Sequence, residues 1–487
     1  MEPILMDNLF REVIRRDPII EEVALPASME EAFESIKDSP YSFFLNSATE
    51  QDFARYSYFG YDPFLIMKSK GGEISIEVPG RGEMYGKERD PFDALGSILD
   101  TYKMEGYSYD LPFIGGGIGY LSYDLCHFIE RLPTTARDDL KLPDCCFAFY
   151  NLVFIHDKFK NKSYISSVDF LEPDEKRAYE NARDNLEVFK ERTLGVGKEI
   201  RRDDLRVPVN CDGPESNFTR SEYLVAVKRV REYILAGDIY QVNLSQRFRS
   251  KYSGLPYELY KRLCKVSPAP FSCYLNFGDV VVVGSSPERF LKLEGDRVQT
   301  RPMKGTRPRG RDVAEDIRLR EELLGSEKDA AELAMIVDLE RNDLGKVCRF
   351  GTVRVVEAKR LETYATVFQL VATVNGILRQ DCNSIDLLRA TFPGGSITGC
   401  PKIRAMEIID ELEPTKRSLY TGSMGYLGFN NTMDMNIVIR TILCKGENAY
   451  FQVGGGIVAD SDPDEEYQET LDKARAMMSV LMGEQMQ

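Results

Sequence analysis

Histidine is scarce: His127 and His156 are the only two in 487 residues. That excludes a three-histidine zinc centre. None of the ten cysteines forms a C-x-x-C pair, and the adjacent Cys145 and Cys146 have no metal-ligand spacing. No stretch approaches the roughly 18 apolar residues of a membrane-spanning helix. Basic charge is also short. Lys and Arg number 63 against 78 Asp and Glu, a net charge of -15. An acidic surface of this kind argues against nucleic acid as a partner. There is no internal repeat and no low-complexity segment. The opening residues, MEPILMDNLFREVIRRD, carry charge throughout and lack an apolar signal core. The cysteines are therefore expected as reduced thiols of a cytoplasmic chain, most of them in the core.

What is present is ordinary globular material. Hydrophobic content of 43% is enough for a large core. The length predicts two large domains or one composite fold. Residues 42–48 and 55–68 are β-rich, the second broken at Asp62-Pro63. Residues 113–125 form a glycine-bearing strand, whose glycines predict a bulge or a close backbone approach. They are no dinucleotide fingerprint, because Tyr120 stands where the last glycine is required. Residues 146–157 read as one strand and 173–193 as a charged helix. Residues 195–216 are polar without a hydrophobic period. A domain connection is expected there, dividing 1–215 from 216–487. Asn217 or Thr219 then caps a helix, and residues 239–248 alternate as a strand. Ser326 with Asp329 resembles a capping box before a helix that stops at Gly345. Helices are also expected at 384–391, at 401–412 with Pro401 in the first position, and from about 464 onward. Without a βαβ alternation, the class is α+β, with antiparallel sheets packed together and helices outside.

Three constellations carry chemistry. The first is RPMKGTRPRG at 301–310, read as a shaped loop because it holds two prolines and two glycines. Lys304 there, crowded by Arg301, Arg307 and Arg309, could have a lowered pKa and act as a nucleophile. The blander reading of a short basic run is a solvated surface loop. Glu288 follows a predicted strand and could serve as a general acid, although most such carboxylates simply pair with a surface cation. The second is two carboxylate pairs at helical i, i+3 spacing, Asp329 with Glu332 and Glu466 with Glu469. Acidic first turns usually complement the helix dipole. Two such helix starts facing each other would instead suit magnesium, with places left for water and a substrate oxygen. The third is a set of anion cradles. PGGSITGCPK at 393–402 leads glycines toward a helix N-terminus, with Thr398 adding a hydroxyl. It is not a P-loop, because Cys400 and Pro401 occupy the lysine and hydroxyl positions. Gly454, Gly455 and Gly456 follow a predicted strand and offer bare amides. Composition and spacing thus point to an α+β enzyme for a small polyanion with a divalent cation. They leave the reaction open.

The residues also resemble a family. DLERNDLG (338–345), FPGGSITGCPKIRAMEIIDELEP (392–414), YTGSMGYLG (420–428), VGGGIVADSDPDEEYQET (453–470) and IYQVNLSQRF (239–248) are similar to segments of the chorismate-utilising enzymes. The resemblance covers about 216–480, and the N-terminal part more loosely resembles their first domain. Within the family, Lys304 in PMKGT, the form PGGSITG and SPAPFSCYL (267–275) resemble the branch that makes 4-amino-4-deoxychorismate for 4-aminobenzoate and folate. Anthranilate-forming relatives usually carry alanine at the lysine position. Gln241 stands where isochorismate- and salicylate-forming relatives place a water-activating lysine, which fits ammonia as the nucleophile.

The resemblance implies covalent attack by Lys304 with Glu288 as general acid. It implies substrate binding by Gln241, Thr398, Tyr420, Arg440, Lys473 and the Gly454, Gly455 and Gly456 amides, with Arg440 on the enolpyruvyl carboxylate. It implies magnesium held by Glu332 and Glu469, with Asp329 and Glu466 close by, and ammonia from a separate glutaminase subunit. Ser47, Arg55, Pro270, Phe271 and Ser272 match parts of a tryptophan pocket of some relatives, while Asn46 departs from the glutamate of the inhibited type. Gln369 replaces a histidine of many relatives. The alternatives are an anthranilate-forming enzyme and a non-catalytic subunit that binds tryptophan or a glutaminase.

Overall fold

The computed structural model describes residues 12–25, 28–49, 51, 53–86, 90–106, 109–195, 213–365 and 367–483. Two twelve-stranded sheets carry the fold, and the strand pairs within them are antiparallel. Both sheets take strands from early and late in the chain. In one, Gly116–Leu121 pairs with Ser423–Gly428; in the other, Phe43–Asn46 pairs with Phe271–Asn276. The expected connection at 195–216 falls largely outside the described residues, which omit 196–212.

Period-two alternation divides side chains between two cores. Phe43 enters the larger core, with Leu65, Phe147 and Met435. Its neighbour Phe44 points the other way, to a second core with Tyr257, Tyr260 and Met477. Helices Pro256–Val266 and Pro463–Met482 cover that second core from outside. The glycine strand behaves as expected: a Cβ on Gly119 would stand 2.0 Å from the Cys146 carbonyl oxygen. The single strand expected at 146–157 is in fact two, Cys145–Tyr150 and Leu152–Asp157, one in each sheet. Composition could not reveal the crossing, because both halves are equally apolar.

Local capping signals translate directly. Thr219 opens helix Arg220–Leu235 through a capping box with Glu222. Ser326 accepts from the Asp329 amide at the start of Glu327–Gly345, and Asp462 caps Pro463–Met482. Pro401 is the cap, not the first residue, of Lys402–Leu412. Among the described residues, no helix is long and apolar enough to cross a membrane.

Candidate active site

Lys304 is not in a loop. It lies on strand Met303–Pro308, which pairs with Val367–Ile377. The register shifts between Lys304 and Thr306, where Gly305 has φ +76. Glycine supplies the left-handed conformation of this bulge and re-aims the strand. The prolines are tolerated because the other edge of this strand carries no partner strand.

The arginines do not explain the lysine either. Arg307 pairs with Glu322 and Asp329, Arg309 with Asp316, and Arg301 with Glu362, so their charges are answered locally. Desolvation lowers the Lys304 pKa, assisted by Lys473 and opposed by Glu332, Glu288 and Glu469. Among the described residues, the Lys304 amine has no hydrogen-bond or ion-pair partner.

Gly456 marks what faces that amine. A Cβ there would stand 2.2 Å from Gln241 Nε2, 3.1 Å from Lys304 Nζ and 3.2 Å from Asn243 Oδ1. Gln241 is buried, and both its amide atoms lack a partner. Asn243 shares the face of Gln241 on strand Gln241–Lys251 and donates to the Ser396 carbonyl at 2.7 Å. The sequence reading missed Asn243; its place two residues after Gln241 on a strand was the available signal. The Gly454, Gly455 and Gly456 run is not a turn after a strand but the end of strand Asn448–Ile457. Its amides border Ser245, Leu244 and Asn243 on one side. On the other side, the neighbouring strand Thr441–Lys445 stops at the pair Ile442 with Phe451, so that edge is free of a strand partner at the glycines.

Glu288 is buried just beyond strand Val280–Ser286. Burial raises its pKa to about 7, against the pull of Ser396, Lys304, the Met303 amide and Arg440. Burial thus acts on both groups toward the neutral form, the acid raised and the amine lowered. Arg440 holds φ +49 between strands Thr432–Ile437 and Thr441–Lys445. No carboxylate pairs with it among the described residues, and burial lowers its pKa. Tyr420 lies beside Arg417, and burial raises its pKa. Thr398 is fully buried, and its hydroxyl donates to the Gly394 and Gly395 carbonyls at 3.0 and 3.3 Å. Gln369 donates to Thr306 at 3.4 Å, while its buried Oε1 has no partner.

The two acidic helix starts face the same recess. A Cβ on Gly455 would stand 3.1 Å from Glu466 Oε2 and 3.4 Å from Glu469 Oε1. Burial raises Glu332 and Glu466, and each also feels the charge of Glu469. Glu469 is held low by Lys473, whose Nζ stands 2.6 Å from it and 2.9 Å from the Gly454 carbonyl. Ser461 donates to one oxygen of Glu466, and the other is buried without a partner. Asp329 is engaged by Arg307 at 3.3 Å. Among the described residues, no three His, Cys, Asp or Glu side chains converge tightly enough to hold a metal by themselves. An orphaned carboxylate oxygen among mutually repelling glutamates nevertheless fits a hard cation that takes its remaining ligands from water and substrate.

A separate cavity of about 650 Å³ contains Ser47, Arg55, Pro270, Phe271 and Ser272 in its wall, with Arg289 and Asp434. Lys304 is not part of that wall.

Residues 41–479 match the chorismate binding enzyme family. The chain is 40% identical over 447 residues to anthranilate synthase component 1 of Thermus thermophilus, covering 91% of this chain and 92% of that one. It is also 40% identical over 429 residues to aminodeoxychorismate synthase component 1 of Bacillus subtilis, covering 88% and 89%. The crystal structure of anthranilate synthase component I from Streptococcus pneumoniae superposes with a TM-score of 0.76 at 31% identity, covering 88% of this chain and 93% of that one. The chain belongs to the chorismate-binding enzyme family.

Proposed function

We propose that this chain is an aminodeoxychorismate synthase component I, converting chorismate and ammonia to 4-amino-4-deoxychorismate in the cytoplasm. The observation that carries the reading is Lys304: a partnerless amine of lowered pKa, in the same recess as the buried acid Glu288. Relatives of equal identity carry both the aminodeoxychorismate and the anthranilate names. The lysine is our reason for preferring the aminodeoxychorismate reading, because an anthranilate-forming site has no use for a covalent amine.

In the proposed reaction, the Lys304 lone pair forms a bond to ring C2. The ring double bonds shift and the C4–O bond breaks, with the Glu288 proton leaving on the hydroxyl as water. Ammonia then bonds to C4, the double bonds shift back, and the C2–N bond to Lys304 breaks. The proton lost by the new ammonium group restores Glu288, so the net change is ammonia in and water out. Arg440 binds a substrate carboxylate, most directly that of the enolpyruvyl group. Gln241, Asn243 and the glycine edge of 454–456 line the floor, with Tyr420, Thr398 and Lys473 at its margins. Glu332 and Glu469, with Glu466 and Asp329 beside them, would hold a magnesium ion, which supplies positive charge for the ring carboxylate. A separate glutaminase subunit supplies ammonia, as the component 1 names of the relatives suggest. The cavity at Ser47 and Arg55 is assigned to tryptophan.

The test is product identification. The purified chain, with chorismate, magnesium and ammonium at mildly alkaline pH, should yield an aminodeoxychorismate that retains the enolpyruvyl group. Anthranilate with released pyruvate would overturn the reading. Unchanged chorismate, with and without a glutaminase partner, would leave a binding subunit.

A further inference from the structure

One buried guanidinium, that of Arg417, ties three walls of the recess together and has no part in the reaction just described. It lies just beyond helix Lys402–Leu412, and all five of its N–H groups are taken. Nε stands 3.0 Å from Glu413 Oε2, and one Nη2 hydrogen goes to Glu413 Oε1 at 2.7 Å. The other Nη2 hydrogen goes to the Asn243 carbonyl at 2.6 Å. Nη1 donates to the Ile397 carbonyl at 3.0 Å and to Thr421 Oγ1 at 3.3 Å. The guanidinium also lies over the Tyr420 ring, 5.8 Å from its centroid. The neutral anchors of Arg417 thus belong to the strand of Gln241 and Asn243, to the turn before Thr398, and to the segment that carries Tyr420.

The Asn243 carbonyl needs this arginine for a local reason. Along that edge, strand Gln241–Lys251 pairs Gln241 with Cys400 and Val242 with Gly399. One step on, Asn243 and Thr398 exchange only one of the two bonds of a ladder pair: the Asn243 amide donates to the Thr398 carbonyl at 2.8 Å. The Thr398 amide turns back instead to the Gly395 carbonyl at 3.4 Å and closes its own turn. Arg417 Nη2 supplies the donor that the strand lost. Three successive carbonyls of the turn are then held: Ser396 by Asn243 Nδ2, Ile397 by Arg417 and Thr398 by the Asn243 amide. We infer that Arg417 is a positioning residue for chorismate binding: it replaces the Thr398 amide on Asn243, sets the turn at 395–398 against the strand, and holds Tyr420 beside both. The inference rests on chorismate occupying the Lys304 recess. Glu413 has a different task. It is buried, accepts from the Ser245 amide and hydroxyl at 2.9 and 2.7 Å, and neutralises the guanidinium. The ion pair keeps the charge, and the neutral anchors set the floor.

The test separates the ion pair from the anchors. Chorismate disappearance is followed whatever product forms, with thermal melts in parallel. Lysine keeps a charge opposite Glu413 but lacks the fork that reaches Asn243 and Ile397 together. Arg417→Lys should therefore raise KM for chorismate about tenfold or more, with a smaller change in kcat. Glu413→Gln leaves the neutral anchors in place. It should lower the melting temperature while KM stays within about twofold of wild type. An unchanged KM in Arg417→Lys, or an equal rise in both variants, would overturn the inference. If Arg417→Lys does not fold, the double variant Glu413→Gln/Arg417→Gln buries no unpaired charge and must show the same rise. If neither folds, Glu413→Gln decides alone: a held KM upholds the inference, and a KM that rises as stability falls overturns it. The expected pattern with anthranilate as the product would uphold the positioning and refute the proposed reaction instead. Wild type that neither binds nor consumes chorismate would overturn both.

Discussion

In the wall of the 650 Å³ cavity, Arg289 places Nε and Nη2 each 2.9 Å from an oxygen of Asp434 and gives its third donor to Gln299. Arg55 does the same with Asp157, at 2.9 and 2.6 Å. In the recess at Lys304, charges and amides are left open. Lys304 and Arg440 have no carboxylate partner among the described residues, Gln241 has two idle amide atoms, and Glu466 has one idle oxygen. Lysine chemistry alone does not explain the contrast. Lys402, nearby in the same fold, fills all its donor sites with Asp343 and two carbonyls. Unpaired buried polar groups cost free energy, so a cluster of them in one recess fits a place that a ligand completes. The charges in the cavity wall are answered by the protein; those of the recess are left open.

The strongest way to break that comparison is Lys304→Ala. It should reduce aminodeoxychorismate formation by at least about 10³-fold while leaving thermal stability equal or slightly higher. Full activity in a steady-state assay would sink the covalent route. Glu288→Gln should cost about 10²–10⁴-fold in turnover.

The same substitution sharpens the contrast in stability. Folding raises Glu288 from 4.5 to about 7, so the folded state favours its protonated form. Holding it ionised costs nothing below the unfolded value, costs more as pH rises from 4.5, and reaches a plateau above about 7. Glu288→Gln should therefore stabilise the protein by up to about 3 kcal/mol at pH 8 and by almost nothing at pH 4.5. Denaturant melts at the two pH values would show this. A variant equally stable relative to wild type at both would mean that the carboxyl is not desolvated.

Arginine replacement should separate the two regions. Arg289→Met leaves Asp434 half-buried and unpaired and should destabilise by about 1–3 kcal/mol. Arg440→Met strands no carboxylate. It should be nearly neutral in a thermal melt yet raise KM for chorismate by about 10- to 100-fold. The reverse pattern would erase the distinction between answered and open charges.

The smallest effect concerns the cavity itself. The chain contains no tryptophan, so indole fluorescence can come only from a ligand. Added tryptophan should show a saturable change in emission that Arg55→Ala weakens. An emission linear in concentration would argue against binding.

Much of this was legible in sequence. Helix starts at Thr219 and Ser326 are local events, set by a hydroxyl and an amide three residues apart. The i, i+3 carboxylates follow from helical geometry once those starts are known. The strand at 239–248 and its shared face are equally local, and the run of family motifs pointed to chorismate without any coordinates. The cause of the Lys304 shift was not local. The neighbouring arginines looked responsible because they are close in sequence. Folding gives each of them a carboxylate and leaves desolvation to act on the lysine.

The amino-acid sequence by itself determined the caps, the acidic helix starts, the strand-forming runs and the identity of the groups that can do chemistry, because each depends on residues within a turn or a pleat of one another. Only the tertiary structure decided that residues 145–157 serve two sheets, that the 454–456 glycines are strand rather than turn, and which cations are neutralised. It also brought Gly456 against Lys304. Burial, pairing and electrostatic coupling are set by neighbours distant in the chain, and no local pattern encodes them.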